Sequence, residues 1–209
     1  MPKIKGLHAF LIKEQIRDVF HKNEYFFEEE RKPYLLNIVG IRSDFAQAQY
    51  NDVILVIYRN PKLDWEVLSC VATTEPGQEF YTGIPDLEGI SVLMPNQYTD
   101  AYEIGHHDLS DYQCLKRAPR EVQVFQEPFD QTVLSEFKSA EILRGNYPVN
   151  LHCSTVAVET EVVDSYVAGS QIFRNKTDFN EFMKLCTKHA KRHKDLFTYT
   201  LLTEGDLNP

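Results

Sequence analysis

The residue types and spacing best suited to chemistry in this chain lie in two short stretches. Asn150-Leu151-His152-Cys153 carries an imidazole on an apolar segment, and Val167-Ala168-Gly169-Ser170-Gln171 carries a hydroxyl, Ser170, eighteen positions after that histidine. Acyl transfer needs a nucleophile, a base within hydrogen-bond reach, a group that orients the base, and donors for the oxyanion. Gly169 lets the backbone turn sharply and present Ser170 with little crowding, and the neighbouring amides of the turn are candidate donors. Taken alone the pair is weak, because loop serines and core histidines are common.

Other chemical residues carry plainer readings. Gly105-His106-His107-Asp108 offers ligand types that suit zinc or iron, but adjacent strand residues point to opposite faces, so no metal site is expected there. Arg42 follows an apolar run and would anchor a substrate carboxylate or pair internally with Asp52, the commoner use of such an arginine. Gln97 and Tyr98 are candidates for lining a cleft. His189 and His193 stand four apart among Lys188, Lys191, Arg192 and Lys194, which reads as a solvated helix face. Cys70, Cys114 and Cys186 sit among apolar neighbours and read as small buried hydrophobes, with no zinc-finger spacing.

Composition narrows the partners. The 209 residues are enough for one self-sufficient core, and 13 Phe and 11 Tyr argue against disorder. A net charge of −9 and no basic block with interleaved aromatics argue against nucleic acid. The one basic cluster in the sequence, 184–194, belongs to a candidate helix. The chain starts without a secretory leader and has no apolar run of membrane-spanning length, so as given it reads as cytoplasmic, with oligomeric state left open.

The elements that must position these residues alternate between helix and strand texture. Apolar residues over 7–27 recur at helical spacing, ending at Lys32-Pro33, and this N-terminal segment (1–33) is expected to pack on a main domain spanning 34–209. Strands are expected at 34–41, 52–58, 65–74, 90–94 and 121–125, with a loop at 95–98 and an irregular region over 126–147 that holds one helical turn near 133–137. A last helix capped by Thr177 buries Phe179, Phe182, Met183 and Cys186, and 197–202 adds a closing strand. The fold class is α+β and sheet-rich.

His152, fourteen intervening residues, then Val167-Ala168-Gly169-Ser170 resembles the signature of the L,D-transpeptidase catalytic domain, in which a histidine is followed by a hydroxyl residue, a small residue, glycine and the nucleophilic cysteine. The flanks resemble phage-associated members: Leu36-Asn37-Ile38-Val39-Gly40-Ile41-Arg42, Thr73-Thr74-Glu75-Pro76-Gly77, Pro95-Asn96-Gln97-Tyr98 and Gly105-His106-His107, in the same order along most of the chain. The resemblance implies a β-sandwich or barrel with a few helices, no cofactor, and attack on the carbonyl of a peptidoglycan stem peptide or related peptide. An acyl-enzyme then forms and is resolved by an amine or by water.

Carried over by position, the resemblance makes His152 the base, Gly169 the turn glycine and Ser170 the occupant of the cysteine's place. The carbonyl of Cys153 would orient the imidazole, and His106 would form a pocket wall. Val167 replaces the hydroxyl residue and Ser170 the cysteine. A thiol with a reference pKa of about 8.5 can ionise beside histidine. A serine must lose its proton during attack and needs closer alignment. Ser170 is therefore expected to leave the site slow or inactive, whether by an introduced substitution or by natural drift to a binding role, with a working serine variant ranked below both. Peptidoglycan lies outside the membrane, so such a chain would reach it through phage or secretion machinery.

Overall fold

β-Branched runs after residue 34 pair side by side, as half-buried strands do. The computed structural model describes residues 3–44, 49–76, 90–107, 112–127, 142–154 and 169–208. In chain order these form β1 (Ile4–Lys5), α1 (Gly6–Lys22), β2 (Leu36–Arg42), β3 (Asp52–Arg59), β4 (Trp65–Thr73), β5 (Ile90–Leu93), β6 (Asn96–His106), β7 (Gln113–Arg117), β8 (Val122–Glu127), β9 (Ile142–Gly145), β10 (Leu151–Cys153), β11 (Gln171–Phe173), α2 (Lys176–Ala190) and β12 (Leu196–Thr203).

Eight strands close a barrel in the order β3-β4-β11-β10-β7-β6-β12-β2, with β2 returning to β3. The β10–β11 and β12–β2 pairs are parallel and the others antiparallel. β1 adds to the start of β4, and β5, β8 and β9 form a separate three-stranded sheet. The fold is thus sheet-rich α+β, and a barrel of this size is filled by side chains. Tyr58, Tyr102, Tyr199, Phe173 and Phe197 are fully buried, joined by Phe179, Phe182 and Met183 of α2. Ala9, Ile16, Val19 and Phe20 of α1 cover Val39, Leu55, Ile57 and Val67 in a second cluster.

One buried contact positions the start of β11. Gly40 leaves room for Tyr199, whose hydroxyl a Cβ at position 40 would overlap. Tyr199 donates to Gln171 Oε1 (3.0 Å), and Gln171 Nε2 donates to Gly169 O (3.3 Å). The space above Gly40 is thereby linked to the turn that carries Ser170.

Several expected boundaries move, each for a local reason. α1 stops at Lys22, because the Asn23 amide donates to Val19 O (3.0 Å) and Glu24 adopts φ 58°. Phe26, expected on the apolar face of the helix, lies beyond its end and is exposed, while Phe27 folds back edge-on to Phe20. Residues 96–98, expected as loop, begin β6, since Gln97 and Tyr98 pair with Thr200 and Tyr199. Asn175 rather than Thr177 caps α2, its Oδ1 accepting from Asp178 N (2.8 Å). His189 is not on a solvated face: it is 4 % exposed, accepts from Leu36 N (3.3 Å) and packs on Phe197. The helical turn expected near 133–137 lies outside the described residues.

Gly40→Ala is expected to destabilise the fold by about 1–3 kcal/mol through overpacking. Adding Tyr199→Phe removes the overlapping hydroxyl, so the double variant loses less than the sum of the two single losses in urea melts.

Candidate functional site

His152 sits in the middle of β10, where strand alternation turns it away from the buried neighbours Leu151 and Cys153. Its Nδ1 lies 3.0 Å from the Cys153 carbonyl and 3.3 Å from the Tyr112 hydroxyl. A carbonyl only accepts, so the first contact is a hydrogen bond when Nδ1 carries the proton; Tyr112 then donates to the same carbonyl (3.2 Å). That tautomer leaves Nε2 with the lone pair of a base. Tyr112 stacks on His107 (centroids 5.2 Å apart), and His107 meets the His152 ring edge-on at 4.6 Å. Burial, reinforced by His107, pushes the His152 pKa down to about 4 despite the carbonyl, so the ring is neutral at physiological pH.

Ser170 lies just before β11, one strand over. β10 and β11 are in parallel register, with Leu151 opposite Gln171 and His152 opposite Ile172. The backbones of His152 and Ser170 are therefore about 8 Å apart, a span that an imidazole and a hydroxyl can bridge. The hydroxyl is engaged elsewhere: it accepts from Asn150 N (3.3 Å) and donates to Pro148 O (3.4 Å). Gly169 has φ 101°, and a Cβ there would overlap Ser91 O of β5. Glycine is required both for the turn and for the approach of the small sheet. The Gln171 amide is taken by Asn150 O (2.8 Å), which leaves the amides of Gly169 and Ser170 as the oxyanion candidates of this turn. Cys153 is buried and free, and burial raises its thiol pKa.

The remaining expected site residues are not brought to this place. His106 is exposed, and its neighbour His107 is the histidine that faces His152; the hairpin pairing His107 N with Tyr112 O (3.0 Å) turns the ring inward. Gln97 lies nine residues from His106 on the same strand, roughly 30 Å along it at full extension. Its amide holds Phe26 N and O (both 2.9 Å) and Thr200 Oγ1 (3.1 Å). Tyr98 is buried, donating to Met94 O (2.6 Å) with Gln123 O at 3.2 Å. Arg42 is 4 % exposed and donates to Thr74 Oγ1 (2.9 Å), Thr74 O (2.7 Å) and Leu93 O (3.0 Å). It reaches Asp52 through the Thr74 hydroxyl, which donates to Asp52 Oδ2 (2.8 Å), so its role is internal. Tyr112 and His107 were missed because nothing local in the sequence separates two adjacent histidines; the hairpin does so. Val167 and Asp108 lie outside the described residues.

Among the described residues no cluster of three or more His, Cys, Asp or Glu is arranged to hold a metal ion, and no helix is long and apolar enough to cross a membrane. Compared with known proteins, the chain matches no family model, no curated protein and no solved structure.

Imidazole 15N NMR is expected to find His152 protonated on Nδ1 alone at neutral pH, titrating near the value of about 4. The unfolded chain takes up this proton near pH 6.5, so the stability from the neutral ring is complete above about 6.5 and is lost as pH falls towards 4. His189, also lowered to about 4, loses its share in the same window. His152→Gln should therefore reduce, but not abolish, the fall in urea midpoint on acidification.

Proposed function

We propose that the chain is an L,D-transpeptidase-like domain that takes a peptidoglycan stem peptide, or a related peptide, beside His152 and turns it over slowly or not at all because serine occupies position 170. One observation carries this reading: a neutral His152, its Nδ1 on the Cys153 carbonyl and its Nε2 left as base, stands one parallel strand from Ser170 behind a glycine at positive φ. For acyl transfer, Ser170 Oγ attacks the peptide carbonyl as Nε2 takes its proton. The amides of Gly169 and Ser170 receive the oxyanion, and the imidazolium returns the proton to the leaving amine.

The second reading, a non-catalytic peptide- or cell-wall-binding module, is favoured by the engagement of the Ser170 hydroxyl with Pro148 and Asn150 rather than with His152. A thiol in the same place, with a reference pKa of about 8.5, would give its proton to Nε2 far more readily than a hydroxyl, which must also first leave those bonds. Delivery by phage or secretion machinery would bring such a domain to its substrate.

Intact-mass spectrometry after incubation with a carbapenem or a stem peptide separates the readings. The expected result is little or no adduct on the chain as it stands and a stoichiometric adduct on Ser170→Cys, lost again in Ser170→Cys/His152→Ala. A ready adduct on Ser170 makes it a working serine enzyme. Failure of Ser170→Cys to react removes the catalytic frame and leaves the binding module.

A further inference from the structure

A cleft of about 840 Å3 opens between the β3–β4 turn, the approach to β2 and the first turn of α1. It lies at the Trp65 end of β4, whereas β11 and the His152 region join the Thr73 end. Lys3, Lys5, Arg31, Arg59 and Lys62 line it against Asp64 and Glu66, a local excess of three positive charges on a chain of net charge −9. Glu66 is committed to Lys5 (3.4 Å), the Tyr58 hydroxyl (2.7 Å) and the Asn60 amide (3.1 Å). Lys3 reaches Glu181 at 3.8 Å, but Arg31, Arg59 and Lys62 enter no ion pair among the described residues.

Arg59 shows what the cleft lacks. Its guanidinium lies 4.0 Å from the Trp65 ring centroid and Nη1 donates to Leu63 O (2.9 Å), but Nε is buried without a partner. A buried donor left unpaired is costly, and so are like charges held near one another. Burial first, then the nearby Arg31, pushes the Arg59 pKa down, with Glu29 opposing the shift only in part. α1 begins at the cleft with Gly6, without a side-chain cap or an acidic residue in its first turn, so its positive end adds to the same field.

We propose that this cleft binds a multiply charged phosphate group, held by Arg31, Arg59 and Lys62 beside Trp65. Phosphate offers several acceptor oxygens and suits the donor fork of an arginine better than a single carboxylate does. The group can come free in solution or on a lipid headgroup. Exposed Leu7, Phe10 and Leu11 on α1, 68 %, 45 % and 55 % accessible, stand where a lipid surface would meet them.

Trp65 is the single tryptophan of the chain, so its fluorescence reports on this cleft directly. The probes are inorganic pyrophosphate and, separately, vesicles of phosphatidylcholine with and without phosphatidic acid, whose phosphomonoester headgroup carries more than one charge. Saturable quenching or a shift by pyrophosphate, weakened about tenfold in Arg31→Gln/Lys62→Gln and by added salt, is the expected result for a soluble ligand. Binding only to phosphatidic acid vesicles, lost in that variant and also in Leu7→Ser/Leu11→Ser, supports the lipid headgroup as source. Lys22→Gln/Lys191→Gln, which removes the same charge elsewhere, should bind like the parent. No response to either probe at millimolar phosphate, or equal weakening in both charge variants, overturns the proposal.

Discussion

Two strands of three residues each, β10 and β11, form the seam on which the barrel depends. Among the described residues they are the sole bridge between β7 and β4, and without their parallel pairing the ring of strands would be an open sheet. His152 lies within the first and Ser170 just before the second, so the contacts that close the fold also set the distance between the two candidate residues. Short strands contribute few ladder bonds of their own. The seam is therefore reinforced from the sides, by Tyr199 reaching Gln171 through the space over Gly40 and by Gly169 seated on Ser91.

The electrostatics of the seam follow from the same packing. Burial, and His107 beside it, keep His152 neutral with its Nδ1 turned to a carbonyl, and Tyr112, packed between His107 and Phe179, backs the pair. A neutral imidazole with a free Nε2 can accept a proton from a nucleophile but cannot hold a thiolate partner by charge. In such a setting the identity of residue 170 decides much of the outcome, since a hydroxyl already satisfied by Pro148 and Asn150 has little reason to turn. The opposite end of β4 has the reverse character, with a cationic cleft on an otherwise acidic protein.

Much of this is legible in the sequence alone. The β-branched runs of β2, β3 and β4 and the apolar stripe of α2 stand out by period alone. Residues far apart in sequence were not legible. β6 is polar at its start because it pairs with Thr200, a partner a hundred residues away, and so it read as loop. His189 looked solvated among lysines because helical spacing does not reveal that Leu36 supplies an amide to its ring. At the site, His152, Gly169 and Ser170 were visible as types and spacing, whereas Tyr112 and the choice of His107 over His106 depend on a hairpin. The cationic cleft escaped for the same reason, as its charges come from separate segments and form no block in the sequence.

The central claim, that a peptide occupies the seam between His152 and Ser170, is tested most directly by backbone amide chemical shifts on titration with a peptidoglycan stem peptide. Saturable shifts centred on His152, Cys153, Gly169 and Ser170, with none around Trp65, are what the account predicts. Shifts absent from β10 and β11, or centred elsewhere on the barrel, would contradict it.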